Sequence, residues 1–166
     1  MKTHTVTVTI GLERDAVFAY LSRLENLPDW MRETFPALER VGAQWTARTP
    51  FGERHVALVA DKSTGVIDLL VGDQPDEMTL WPMRVMCRPH GTAVTATLFQ
   101  GVDEPDELFD YVYRLWLADL RGLPQRLGGG QIHAAPEGCG AFYPGIVTAD
   151  FYGTWDFYSA HLGFRT

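Results

Sequence analysis

Apolar and polar residues alternate strictly from Thr5 to Ile10, with Val6, Val8 and Ile10 on one side and threonines on the other. A period of two carried by β-branched residues predicts a half-buried strand, and Gly11 ends it. Val17, Tyr20, Leu21 and Leu24 then recur at helical spacing, so a short amphipathic helix follows directly. Asn26-Leu27-Pro28 interrupts it, and Asp29-Trp30-Met31 opens a second short turn that Pro36 must end. After Gly101 the period is helical again. Phe109, Val112, Trp116, Leu120 and Leu123 form one apolar stripe, with Leu108, Tyr111 and Leu115 beside it. Asp103 can cap this helix, Glu104 to Glu107 place carboxylates where the helix dipole favours them, and Pro105 is tolerated there. The helix is expected to run to about residue 123 or a little past.

Between residues 37 and 100 the pattern is strands and turns. Thr49-Pro50-Phe51-Gly52, Asp61 to Gly65, Gly72 to Asp76 and Arg88-Pro89-His90-Gly91 carry the Gly and Pro punctuation of hairpins, which predicts an antiparallel meander. Pairing Thr49 with Gly52 puts Trp45 opposite Val56 and Ala47 opposite Arg54. Centring the next turn on Lys62 and Ser63 puts Val56 opposite Leu69 and Leu58 opposite Ile67. The third turn brings Ile67 to Trp81, and the fourth places Met83 and Val85 beside Val94 and Ala96. One face then collects Trp45, Val56, Leu58, Ile67, Leu69, Val71, Trp81, Met83, Val85, Val94, Ala96 and Leu98. It is assigned to the concave side, under the long helix. The other face carries His55, Asp68, Arg84 and the threonines, but also Leu70, Met86 and Phe99, which suggest cover by a later segment or a homodimer contact.

Composition narrows the classes of function. A net charge of −7, with arginines scattered singly, gives no basic surface for nucleic acid or an anionic membrane. No apolar run approaches the roughly 18 residues of a membrane span. Met1-Lys2-Thr3-His4 leads into no signal-peptide core. Cys87 and Cys139 lack CxxC or metal-ligand spacing and lie far apart, which fits a reducing cytoplasm better than a secreted scaffold. Gly128-Gly129-Gly130 reads as a joint, so the expected organisation is a domain over 1–127, a Gly-rich linker over 128–140 and a strand-helix segment over 141–166.

The order of strand, two short helices, antiparallel meander and long amphipathic helix resembles the SRPBCC or START-like superfamily, which includes polyketide cyclase/dehydrase-like proteins and allergens of the Bet v 1 type. The residues that carry it are Val6 to Ile10, Asp15 to Leu21, Glu25-Asn26-Leu27-Pro28-Asp29-Trp30 and Gly91 to Thr97. The resemblance implies an α+β helix-grip fold, with a cavity between helix and sheet for a hydrophobic or polyketide-like molecule. It brings no invariant catalytic residue. Asp150 to Phe164, with its Phe157-Tyr158 and Leu162-Gly163-Phe164, resembles the opening of a glyoxalase/bleomycin-resistance (vicinal oxygen chelate) module. Metal-binding members commonly have a ligand early on the preceding strand, and Ala141-Phe142-Tyr143-Pro144 offers none.

The expected ligand-binding residues are Trp30, Trp45, Leu58, Ile67, Leu69, Trp81, Met83, Val94, Tyr111 and Leu115, since ligand cavities have mostly apolar and aromatic walls. Plain core packing is the competing reading for each. His55 and Asp68 could form a proton-transfer pair on adjacent strands, although that face is the more polar one and a solvated pair is the simpler reading. Arg84 could bind a carboxylate or enolate if the register slipped by one residue. Tyr20, Tyr111 and Tyr113 could offer a phenol, with packing as the plainer role, and His133 and His161 read as solvent-facing. The carboxylates from Asp103 to Asp110 fit helix N-terminal charge better than a metal site. No cofactor or metal is expected. The sequence thus points to a carrier or cyclase-like protein for a small apolar molecule. The alternatives are an interaction or dimerisation module completed by the tail, or a piece of a longer fusion.

Overall fold

A computed structural model describes residues 1–128. The chain order is β1 (Thr3–Ile10), α1 (Arg14–Leu21), a 3-10 turn (Leu24–Asn26), α2 (Leu27–Trp30), β2 (Ala37–Val41), β3 (Gln44–Thr49), β4 (Gly52–Asp61), β5 (Val66–Gln74), β6 (Glu77–Arg88), β7 (Gly91–Phe99) and α3 (Asp106–Arg126). The strands form one antiparallel sheet in the order β1-β7-β6-β5-β4-β3-β2. The sheet curves around α3, which is the helix-grip arrangement the sequence predicts.

The registers explain why. The β3–β4 hairpin pairs Thr49 with Gly52 and Trp45 with Val56, as expected. The next two hairpins each shift by two residues: Leu58 faces Leu69, and Leu69 faces Trp81. In the first of these the loop is longer than a two-residue turn. Asp61 pairs with Val66, and its carboxylate holds the loop by accepting from Ser63 N and Oγ and from Thr64 Oγ1. A shift of two returns every side chain to its own face, so the concave assignment survives. Val56, Ile67, Leu69, Val71, Met83, Val85, Val94, Ala96 and Leu98 are all buried.

One hairpin has no counterpart in the sequence reading. Val41 pairs with Gln44 across Gly42-Ala43, with only Gly42 at positive φ (64°), the pattern of a type II′ turn. A second difference concerns Pro28. It stands in the first turn of α2 rather than interrupting a helix, because proline's missing N–H is no loss there.

On α3 the predicted stripe of Phe109, Val112, Trp116, Leu120 and Leu123 is buried. Burying a side chain of that size stabilises by about 1.5–3 kcal/mol. The helix begins three residues later than Asp103, with Pro105 at the N-cap position and no side-chain cap. Its start is held otherwise. Gln100 donates to the Glu104 carbonyl (2.9 Å) and to Asp106 Oδ1 (2.7 Å), and accepts from the Lys2 backbone N–H (2.7 Å). Lys2 Nζ reaches Asp106 and Asp110 from outside.

One polar residue breaks the apolar side of α3. Asp119 is 0% exposed and accepts from Glu33 N (3.0 Å), Thr34 N (2.9 Å) and Thr34 Oγ1 (2.8 Å). Arg126 lies 3.5 Å away and donates to the Trp30 carbonyl at 2.6 Å. These bonds tie the segment between α2 and β2 to the last turns of α3.

Candidate functional site

The centre of the concave face is filled. Trp30, Trp116, Phe35 and Phe109 are fully buried, and Trp81 leans against Phe35 with ring centres 5.6 Å apart. Space remains at the end of the sheet where α3 begins. A cavity of about 340 Å³ lies there, with a floor of Val71, Trp81, Leu98, Phe109 and Val112. Its rim is Phe51, Arg54, Asp73, Glu77, Thr79, Phe99, Gly101, Asp103, Glu104, Pro105 and Leu108. The floor comes from alternate residues of β5, β6 and β7 and from successive turns of α3. Past Val71 and Trp81 those same alternations become polar, because the sheet runs beyond the core and into water.

Arg54 is the cation of that rim. Its Nη1 lies 2.8 Å from Asp73 Oδ1 and 2.8 Å from the Glu53 carbonyl, and the guanidinium lies over the Phe51 ring at 5.3 Å. Glu104 Oε2 accepts from Gly101 N at 2.9 Å. Arg54, Asp73 and Glu77 are absent from the expected site, though one signal pointed to Arg54. The turn that sets Trp45 opposite Val56 also sets Arg54 opposite Ala47, on the concave side.

Of the expected binding residues, only Trp81 lines this cavity. Trp45 and Leu58 line a second depression of about 350 Å³ at the end of the β2–β3 hairpin, with Leu24, Gln44, His55 and Met78. Trp30, Ile67, Leu69, Met83 and Val94 belong to the buried core cluster. Leu115 is half-buried beside the stripe. Tyr111 is 39% exposed, with Arg114 over its ring, so it lies outside the cup. It sits one position before the buried Val112, which turns it off the packed face.

The suggested chemistry is also relocated. His55 sits opposite Gly72 while Asp68 sits opposite Val59, about 13 Å apart along the strands. They form no pair. Asp68 instead holds Arg84 at 2.7 Å on the convex face, so the slipped register that would bring Arg84 inside does not occur. Tyr113 stacks on His4 with centres 3.8 Å apart. Tyr20 is half-buried, and burial raises its phenol above the ordinary value. His55 Nδ1 and Trp30 Nε1 are buried without a hydrogen-bond partner among the described residues. Cys87 is not a free thiol. His133, Cys139 and the glyoxalase-like stretch lie outside the described residues. Among the described residues no group of three or more His, Cys, Asp or Glu is placed to hold a metal ion, and no helix is long and apolar enough to cross a membrane.

No protein-family model matches the chain, and no curated protein matches it. Solved structures do. An uncharacterized protein from Bacillus thuringiensis superposes with a TM-score of 0.60 at 18% identity, covering 76% of this chain and 98% of that one. A START superfamily protein from Mycobacterium smegmatis superposes with a TM-score of 0.52 at 16% identity, covering 75% and 96%. Ara h 8.0201 superposes with a TM-score of 0.53 at 14% identity, covering 76% and 97%. The chain therefore has the helix-grip fold of the START and Bet v 1 kind.

Proposed function

We propose that the chain is a binding protein for a small apolar or aromatic molecule, polyketide- or lipid-like in character, held beneath the first turns of α3. The observation that carries this reading is the cavity of about 340 Å³ floored by Val71, Trp81, Leu98, Phe109 and Val112. Its size falls within the roughly 300–1,000 Å³ of small-molecule sites, with the usual apolar floor and few polar groups. The START- and Bet v 1-like fold, whose helix grips the sheet and leaves space at one end, is consistent with such a role.

Carriage fits better than turnover. The floor has no group able to move a proton, and the charged groups stand at the rim, Asp73, Glu77 and Asp103 exposed and Arg54 and Glu104 half-buried. A molecule seated on Trp81 and Phe109 would meet shape and apolar contact rather than a general acid or base.

Uptake of the neutral dye N-phenyl-1-naphthylamine, read by its fluorescence, tests this. Thr79 is exposed on the concave side of the mouth, so Thr79→Trp fills the entrance without disturbing the core. Wild type should bind the dye, and Thr79→Trp should weaken binding about ten-fold or more at an unchanged melting temperature. Equal binding by both proteins would move the site away from this cavity.

A further inference from the structure

Five charged side chains line the cavity: four carboxylates, from Asp73, Glu77, Asp103 and Glu104, and one guanidinium, from Arg54. The guanidinium is already engaged. It holds Asp73 at 2.8 Å and the Glu53 carbonyl at 2.8 Å, and its flat face lies over Phe51. Only its partner Asp73 is compensated. Glu104 takes a single backbone N–H, from Gly101, and meets no cation among the described residues. Glu77 and Asp103 are exposed, and neither meets a cation or a hydrogen-bond donor among the described residues. The positive end of α3 opposes this with about half a unit charge, but its own first turn carries Asp106 and Glu107.

We infer that the molecule selected by this cavity has an apolar body and a cationic end, of the protonated-amine type, rather than a carboxylate. The inference rests on the binding reading above and adds to it the charge of the ligand. An ammonium entering the mouth meets carboxylate acceptors that nothing else satisfies. A carboxylate of the same size meets like charge, and it must also displace Asp73 to reach Arg54.

The test is displacement of bound N-phenyl-1-naphthylamine by octylamine, octanol and octanoate near neutral pH, where the amine is protonated and the acid ionised. At low salt octylamine should displace the dye at about ten-fold lower concentration than octanoate, with octanol between them. That is the scale expected of a few unit charges near a water-facing site. High salt should close most of the gap. The double variant Glu77→Gln, Asp103→Asn, altered at two exposed positions, should bring amine and acid within about two-fold of each other. Asp73→Asn, which releases Arg54, should improve octanoate specifically. Octanoate displacing as well as octylamine from wild type overturns the inference and leaves the cavity standing. Dye uptake that none of the three compounds reverses also overturns it. Absence of dye uptake removes the binding reading itself.

Discussion

Asp119 is a carboxylate enclosed by protein, and three donors from Glu33 and Thr34, with Arg126 at 3.5 Å, replace its water. Removing it by Asp119→Ala strands the Thr34 N–H and hydroxyl in the interior and loses the bond from the Glu33 N–H. The loss should be about 3–5 kcal/mol in urea unfolding, since each buried unpaired donor costs about 1–3 kcal/mol. Burial raises its pKa above the ordinary value, while the bonds from Glu33 and Thr34 and the nearby Arg126 pull the other way. A raised carboxylate binds its proton more tightly in the native chain. The proton-linked part of its stability is therefore complete below the ordinary value of 3.8 and is lost as the pH rises through the native value. Asp61 and Asp106 have the opposite sign. Asp61 is held down by Ser63 and Thr64, and Asp106 by Gln100 and Lys2, so their contribution is present above 3.8 and is lost as the pH falls through their lowered values. Carboxyl NMR titration should find Asp119 above 3.8 and Asp61 and Asp106 below it. A common midpoint would contradict this. Asp119 did not stand out in the sequence, whereas Arg54 was marked only by its register opposite Ala47. Asp119 lies one position before Leu120 of the stripe, and what makes it special is a loop 85 residues away.

At the scale of elements, the alternation of residues was legible where the turns were not. Side chains in a strand have a period of two, so a register error of one full pleat leaves Ile67, Leu69 and Trp81 on the concave side. The β2–β3 hairpin escaped because Gly42-Ala43 is followed by Gln44-Trp45-Thr46, with no second glycine, asparagine or proline to mark a turn. Gly91 is the opposite case, a turn residue read from sequence whose full role needs the structure. It has φ 125°, and a methyl there would run into the carbonyl oxygen of Ile10 at the end of β1. Gly91→Ala combines a disfavoured backbone with a collision against main chain. It should lower unfolding free energy by about 2–4 kcal/mol, measurable as a drop in melting temperature. An unchanged melting temperature would mean that the β6–β7 turn sits farther from β1.

For the molecule as a whole, the order of elements was sufficient to anticipate the architecture, because few folds place one strand and two short helices before a meander and close it with a long helix. The empty space was not legible. Whether a concave face is hollow depends on how much volume Trp30, Trp116, Phe35 and Phe109 take up once packed, and hydrophobic periodicity says nothing about volume. Most of the anticipated lining is buried in the core, and the cavity of about 340 Å³ lies at the end where β5, β6 and α3 outrun that packing.

The pairing of β1 with β7 sets a schedule for the nascent polypeptide. Thr3 finds its partner only at Phe99, and Ile10 only at Thr92. While β2 to β6 zip up hairpin by hairpin as they leave the ribosome, the opening strand waits with an unsatisfied edge. α3, which supplies the other half of the interior, is translated later still. Loop closure between β1 and β7 must then precede most of the burial, a topology associated with slow acquisition of structure and with early exposure to chaperones.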